Sequence, residues 1–386
     1  MIVRCVALLA AFTAACSSRP EAPADGAPAP SMAASPAAPA SKPAVAAPES
    51  VVFADRTSLA YVLLVDGKQP APTRAELAAL VERELAGNRD DPEVGVLLEF
   101  IALDPEADPR LSAGTHPRDL IGLRIESLDA TARRAAVAEA ALADPVLTRE
   151  LEPPERAQLA SLRAGLLLRA DYRNERAVRG LRLLQTLVRL LAKQQHALIH
   201  DPDTGETMGV DAFERRRLQA GLGNVADQVA VVPFPDLLHG APYLRLTTRG
   251  MRRFGSADLE LDGLPRDEAV LQQATFLLHG LAYRMARLAE LDPSGYPLEL
   301  TEDVEIDFAD VTRAYSRLQG RVPKCADCLG TVTVGLRKRA AEPTDPQDHL
   351  VLRVTAPQGD TAGLADAPAW VSRALAQLLG PPAPAG

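Results

Sequence analysis

Cys325-Ala326-Asp327-Cys328 is the most pointed pairing of reactive side chains in this 386-residue chain. In an oxidising compartment a local disulfide is the default for such a pair. A loop so short yields only about 2 kcal/mol in the chain-entropy model, a weak reason for a bridge. A redox couple wants its first cysteine at a helix N-terminus, where the dipole lowers the thiol pKa. Here Gly330-Thr331-Val332-Thr333-Val334 continues as strand. Zinc wants four ligands, and there is no second cysteine pair; His349 adds only one ligand. Disulfide, redox couple, metal ligand and free thiols all stay open.

Arg249, Arg252 and Arg253, with Gly250 and Gly255, make a small basic turn. Backbone amides beside guanidiniums can hold a phosphate or carboxylate; the competing reading is ion pairing with nearby Asp258 and Glu260. His196 and His200 are four residues apart, but they fall where a helix runs into a strand and lack the HExxH glutamate. Asp201, Asp203 and Glu206 mimic the start of a calcium loop. Gly205 then stands where Asp or Asn belongs and Glu206 where Gly belongs, so a hairpin turn explains them better. Glu302, Asp303, Glu305 and Asp307 read as the solvated side of a strand. There is no nucleophile elbow, Walker loop or dinucleotide fingerprint, so neither a metal site nor a cofactor is expected.

The address is more legible than the chemistry. Arg4 precedes an apolar stretch from Cys5 to Ala15. It is shorter than the roughly 20 residues needed to span a bilayer and has the layout of a secretory signal. Thr13-Ala14-Ala15-Cys16 resembles the lipobox of bacterial lipoproteins. The resemblance implies cleavage before Cys16, diacylglycerol on its thiol, and further acylation that anchors the chain stably in a lipid bilayer. Ser17 follows, where an Asp would imply inner-membrane retention, so an outer-membrane envelope location is expected.

Residues 17–50 hold 8 Pro and 12 Ala among 34, with no Leu, Ile, Phe, Tyr or Trp. Such a segment cannot bury enough apolar surface to offset its ordering entropy. It reads as a disordered spacer of at most about 100 Å. The net charge of −9 is spread along the chain, which argues against nucleic-acid partners. The excess of Arg over Lys, 37 to 5, reads as genome composition.

In the body, the apolar run 58–65 predicts a buried strand, ended by Asp66-Gly67. Thr73 with Glu76 predicts a capped helix. Residues 94–103 read as a second strand, 120–125 as a third, 130–143 as a helix and 166–168 as a short strand. The strongest helix is 174–195, with Ala177, Leu181, Leu184, Val188 and Leu191 at helical spacing. A hairpin follows through Asp201–Gly205. Strands near 229–234, 243–248 and 259–261 precede a long helix, 266–291, and an alternating strand at 299–307. Then come a helix at 309–318, paired strands at 331–336 and 349–354, and a closing helix at 370–379. Strands and helices interleave without a βαβ rhythm, so the expected class is α+β, with sheets carrying helices on one face. The two dominant helices suggest two similar lobes. The expected organisation is 1–15 signal, 16–50 lipidated cysteine and tether, 51–225 and 226–380 lobes divided near 221–226, and 381–386 tail.

Leu246–Leu261, LTTRGMRRFGSADLEL, resembles a motif of uncharacterised bacterial proteins in which a Thr-Arg-Gly turn precedes Phe-Gly and a short acidic strand. The resemblance covers about 164–290 and implies a fold grouping without an activity. The functional expectation is an envelope lipoprotein acting as a non-enzymatic binding or structural module, its protein or small-molecule partner undefined. The alternative is a periplasmic enzyme of unrecognised type, or a thiol or metal site at Cys325 and Cys328.

Overall fold

The run Leu59–Val65 explains the first sheet. Leu59, Tyr61, Leu63 and Val65 enter the main apolar core, while Val62 and Leu64 enter a second, smaller cluster with Leu128, Val137, Leu151, Leu162 and Leu198. A strand apolar at every position is one buried on both faces. A computed structural model describes residues 51–381 except 53–55, 68–69, 89–90, 103–121, 174–176, 219–224, 292–298, 301, 317–321, 323–329, 343–344 and 346–349. The strands, in chain order, are β1 (Val51–Val52), β2 (Arg56–Val65), β3 (Gly122–Leu128), β4 (Ala164–Arg173), β5 (Leu198–His200), β6 (Thr207–Met208) and β7 (Ala230–Pro235). They continue with β8 (Tyr243–Arg249), β9 (Asp258–Pro265), β10 (Glu299–Leu300), β11 (Asp303–Asp307), β12 (Thr331–Lys338) and β13 (Val351–Thr355).

The first sheet has the order β3-β4-β2-β5-β6 and is antiparallel throughout. The second has the order β11-β12-β13-β9-β8-β7, with a single parallel pair, β13 on β9. β1 and β10 form a separate two-stranded ribbon. The first sheet thus draws its strands from 56–208 and the second from 230–355. One apolar core, running from Tyr61 and Leu187 to Leu277, Val334 and Trp370, joins them. The class is α+β, as the interleaving of elements implied. Helix Ala177–Gln195 lies on β4 and β2, while helices Glu268–Leu291 and Ala367–Leu379 lie on β9.

The strand expected at 94–103 is instead the helix Pro92–Ala102. Its buried residues, Val94, Leu97, Phe100 and Ile101, recur at helical spacing. Asp91 starts it by accepting the Glu93 N–H at 2.9 Å, with Pro92 at the first helical position. The helix expected at 130–143 is two, Ala130–Ala136 and Glu139–Ala143. They are broken at Val137, whose extended backbone carries its side chain into the second cluster. The short strand at 166–168 is a ten-residue strand, under-read because Arg169, Asp171 and Arg173 follow the leucines. Part of the boundary at 221–226 lies outside the described residues, as do residues 1–50, Cys325, Cys328 and His349.

Helix Ala177–Gln195 approaches β4 so closely that a Cβ on Gly180 would sit 2.6 Å from Tyr172 Cγ. Gly180→Ala is therefore expected to destabilise the fold by about 1–3 kcal/mol, although alanine is the better helix former by about 1 kcal/mol. A fall in the urea midpoint checks this; an unchanged or raised midpoint would contradict the contact.

Candidate functional site

The helix Ala177–Gln195 ends at His196, which takes a left-handed φ of 50°, and the Ala197 N–H reaches back to the Ala192 carbonyl at 2.9 Å. The chain then enters β5 and turns through Asp201-Pro202-Asp203-Thr204-Gly205 into β6. Asp201 Oδ1 accepts the Asp203 N–H at 3.1 Å, and the Gly205 N–H closes on the Asp201 carbonyl at 2.8 Å. His196 and His200 share no helix face. His200 is buried in β5 with Nδ1 2.9 Å from Thr207 Oγ1, and burial pushes its pKa down to about 4 despite the nearby Asp201.

The hairpin's three acids all turn inward. Facing them is the turn Met251–Phe254, entered through Gly250 at φ +107°, where a Cβ would crowd the Gln228 carbonyl at 3.1 Å. Arg253 is fully buried and donates from Nη2 to Asp201 Oδ2 at 2.9 Å and Oδ1 at 3.1 Å. Its Nη1 reaches Gln228 Oε1 at 3.0 Å, and its Nε reaches the Gly250 carbonyl at 2.9 Å. Its own carbonyl accepts the Tyr172 hydroxyl at 2.8 Å. Arg252 pairs with Asp203, and Arg249 lies 3.4 Å from Asp345. The basic turn thus pairs with Asp201, Asp203 and Asp345, acids distant in sequence. Asp258 accepts from Thr248 Oγ1 and the Met251 N–H. Glu260 gathers Arg245 at 2.7 Å, Arg339 at 2.9 Å and Arg353 at 3.3 Å.

Electrostatics separate the two hairpin aspartates. Burial raises both carboxyls, but Arg253 and Arg217 outweigh it at Asp201 and hold that pKa to about 2. At Asp203 burial wins over Arg253 and Arg252, and the pKa lies above the usual value. Gln185 extends the network, donating to Tyr61 Oη at 2.8 Å and to Gln228 Oε1 at 2.9 Å. Burial pushes the Tyr61 hydroxyl up to about 12.

Glu206 links this buried cluster to open space. Its carboxylate takes Arg217 at 2.6 Å, Arg149 at 2.7 Å and Arg216 at 3.0 Å. Together these arginines hold its pKa below the usual range in spite of burial. Arg149, Glu150, Glu206, Arg215, Arg216 and Asp227 line a cavity of about 630 Å³ together with His279 and Tyr315. Three guanidiniums and three carboxylates therefore share its lining. His279, buried in the helix Glu268–Leu291, has Nε2 at 3.0 Å from the Val229 carbonyl. A carbonyl only accepts, so Nε2 carries the proton, and Nδ1 accepts the Tyr315 hydroxyl at 2.5 Å. Burial holds the His279 pKa down at about 4, so the ring is neutral at pH 7.

Sequence reasoning singled out the hairpin acids and the basic turn but did not join them. It missed Arg149, Arg216, Arg217, Asp227, His279 and Tyr315. One signal was present: His279 interrupts the apolar run from Phe276-Leu277-Leu278 to Leu281-Ala282, which is otherwise core. Cys16, Cys325 and Cys328 lie outside the described residues. Among the described residues no three His, Cys, Asp or Glu side chains group as a metal site, and no helix is long and apolar enough to cross a membrane. The chain matches no protein-family model, no curated protein and no solved structure.

Proposed function

We propose that the protein is a lipid-anchored binding protein of the bacterial cell envelope, in the outer membrane, whose body holds a small polar ligand without transforming it. The observation that carries the ligand reading is the cavity of about 630 Å³ with its balanced ring of three arginines and three carboxylates. Small-molecule sites fall at about 300–1,000 Å³. A bare anion would add an uncompensated charge to a lining whose three positive and three negative side chains already balance. A zwitterion instead offers a carboxylate to Arg149 or Arg215 and an ammonium to Glu150 or Asp227, so free amino acids and short peptides are the ligand class. The anchor is supported by the lipobox-like Thr13–Cys16 and by the Pro/Ala spacer that follows.

Isothermal calorimetry with amino acids, dipeptides and inorganic phosphate tests the ligand class. Binding of a zwitterion is expected, weakened at least about tenfold in Arg149→Ala, the loss of one charge-assisted hydrogen bond. Heat from phosphate alone, or an affinity indifferent to Arg149→Ala, would overturn it. A second reading, as an enzyme, is favoured by the Tyr315 hydroxyl donating to the neutral His279 at the cavity wall, an acid–base couple. Under that reading the ligand is recovered altered, and Tyr315→Phe abolishes turnover while sparing binding. Under the first, the ligand is recovered unchanged.

A further inference from the structure

The hairpin between β7 and β8 holds two leucines out in water. Leu237 is 80 % exposed and Leu238 65 %. Around them Pro233, Pro235, Gly240, Ala241 and Pro242 are also exposed. In a chain with 24 % charged residues, the exposed positions from 233 to 242 carry no charge. The tip is also built to stay in place. Asp236, itself 5 % exposed, accepts the Leu238 N–H at 2.8 Å, the His239 N–H at 3.0 Å and, from β9, the Gly263 N–H at 2.7 Å. His239 Nδ1 lies 2.9 Å from the second oxygen, with its ring edge-on to Tyr243. Four partners on one buried carboxylate fix a loop whose outward side chains are apolar. An ordinary solvated turn needs no such device.

We propose that the Leu237–Leu238 tip is a membrane-contact finger that inserts into the surface of the bilayer to which the chain is tethered. This rests on the lipid-anchor reading above. Each leucine yields about 1.5–3 kcal/mol when fully buried. A convex tip bearing two leucines falls far short of the roughly 1,600 Å² that a stable protein interface buries. A soft lipid surface needs no matching groove. The 34 residues between Cys16 and Val51 keep the body within reach of the bilayer, and at that effective concentration a weak apolar contact suffices. The contact would orient the body on the membrane rather than recruit it there.

The test separates the finger from the anchor. The chain from Cys16 onward is held by an N-terminal hexahistidine on nickel-chelating vesicles of phosphatidylethanolamine and phosphatidylglycerol, with and without brominated acyl chains. The Leu237→Trp variant is the reporter, because the chain's own Trp370 is 4 % exposed in the core. A blue shift of the reporter emission on tethering, and its loss in brominated vesicles, is expected. Leu238→Ser in the same chain should reduce both changes. Emission identical with and without bromine, while the protein remains on the vesicles, would overturn the finger. Natural acylation is read separately, by mass on membrane-extracted protein, so its failure removes the anchor without altering the vesicle result. Docking of the tip on a protein instead would appear as a reporter unmoved by lipid, which also overturns the proposal.

Discussion

Arg253→Met is expected to cost about 3–5 kcal/mol of folding stability, read as a large fall in the urea midpoint at neutral pH. Methionine keeps the apolar stem of the side chain but donates nothing. The substitution leaves the Asp201 carboxylate, 1 % exposed, to Arg217 at 3.4 Å and the Asp203 and Thr204 N–H groups, and leaves Asp203 with Arg252. Removing one partner of a buried pair leaves an uncompensated charge, and that penalty gives the magnitude. Gln228 and the Gly250 carbonyl lose donors at the same time. Asp201→Asn added to Arg253→Met should recover part of the loss, because the stranded charge disappears; additive losses would mean the two residues do not interact. Arg252 lies next to Arg253 in the chain but is 42 % exposed. Arg252→Ala should therefore cost much less, since water already solvates Arg252 and the buried Asp203 keeps Arg253 at 3.8 Å.

Acid is expected to unfold the protein well above the usual carboxylate range. His200 and His279 are held at about 4 by burial, against about 6.5 for an exposed histidine. Their folded pKa values lie below the unfolded ones, so between those limits the unfolded chain binds more protons. Stability is fully present above about pH 6.5 and is lost as pH falls toward 4. Each histidine contributes about 3 kcal/mol across that window at 1.36 kcal/mol per pKa unit, so the pair together reach about 6 kcal/mol. Asp201, held at about 2, extends the loss below pH 4. Asp203, Asp262 and Asp310 act in the opposite sense. Burial raises their carboxyls, so the folded state takes up their protons first and the fall is softened. Urea titrations at a series of pH values in wild type, His200→Gln and His279→Gln check this. Each variant should lose about half of the slope. A slope confined below pH 4 would assign acid sensitivity to carboxylates alone.

The sequence made much of the framework legible because the framework follows from local pattern. The Thr73–Glu76 capping box, the stripe of Ala177–Gln195, the turn at Asp201–Gly205 and the alternation of β8 are all set by neighbours a few residues apart. The misreading of Pro92–Ala102 has the same origin. A ten-residue apolar run serves equally as buried strand or buried helix, and only the Asp91-Pro92-Glu93 start separates them. The site was not legible, because its pairings are long-range. Arg253 meets Asp201 across 52 residues, Arg149 meets Glu206 across 57, and His279 meets Tyr315 across 36. No spacing rule connects them. The nearer acids Asp258 and Glu260 drew the expected pairing because proximity in sequence was the only guide, and the sheet turns them toward Thr248 and Arg245.

Native mass spectrometry of the protein extracted from its own membranes tests the proposed function most directly. The expected species is a chain beginning at Cys16 with acyl mass added and carrying a small ligand. That ligand should be released unchanged on denaturation and be absent from the Arg149→Ala protein. A chain without acyl mass would remove the anchor. An acylated chain that carries no ligand, and binds none when amino acids or dipeptides are supplied, would contradict the assignment of the cavity between Glu206 and His279 as a binding site.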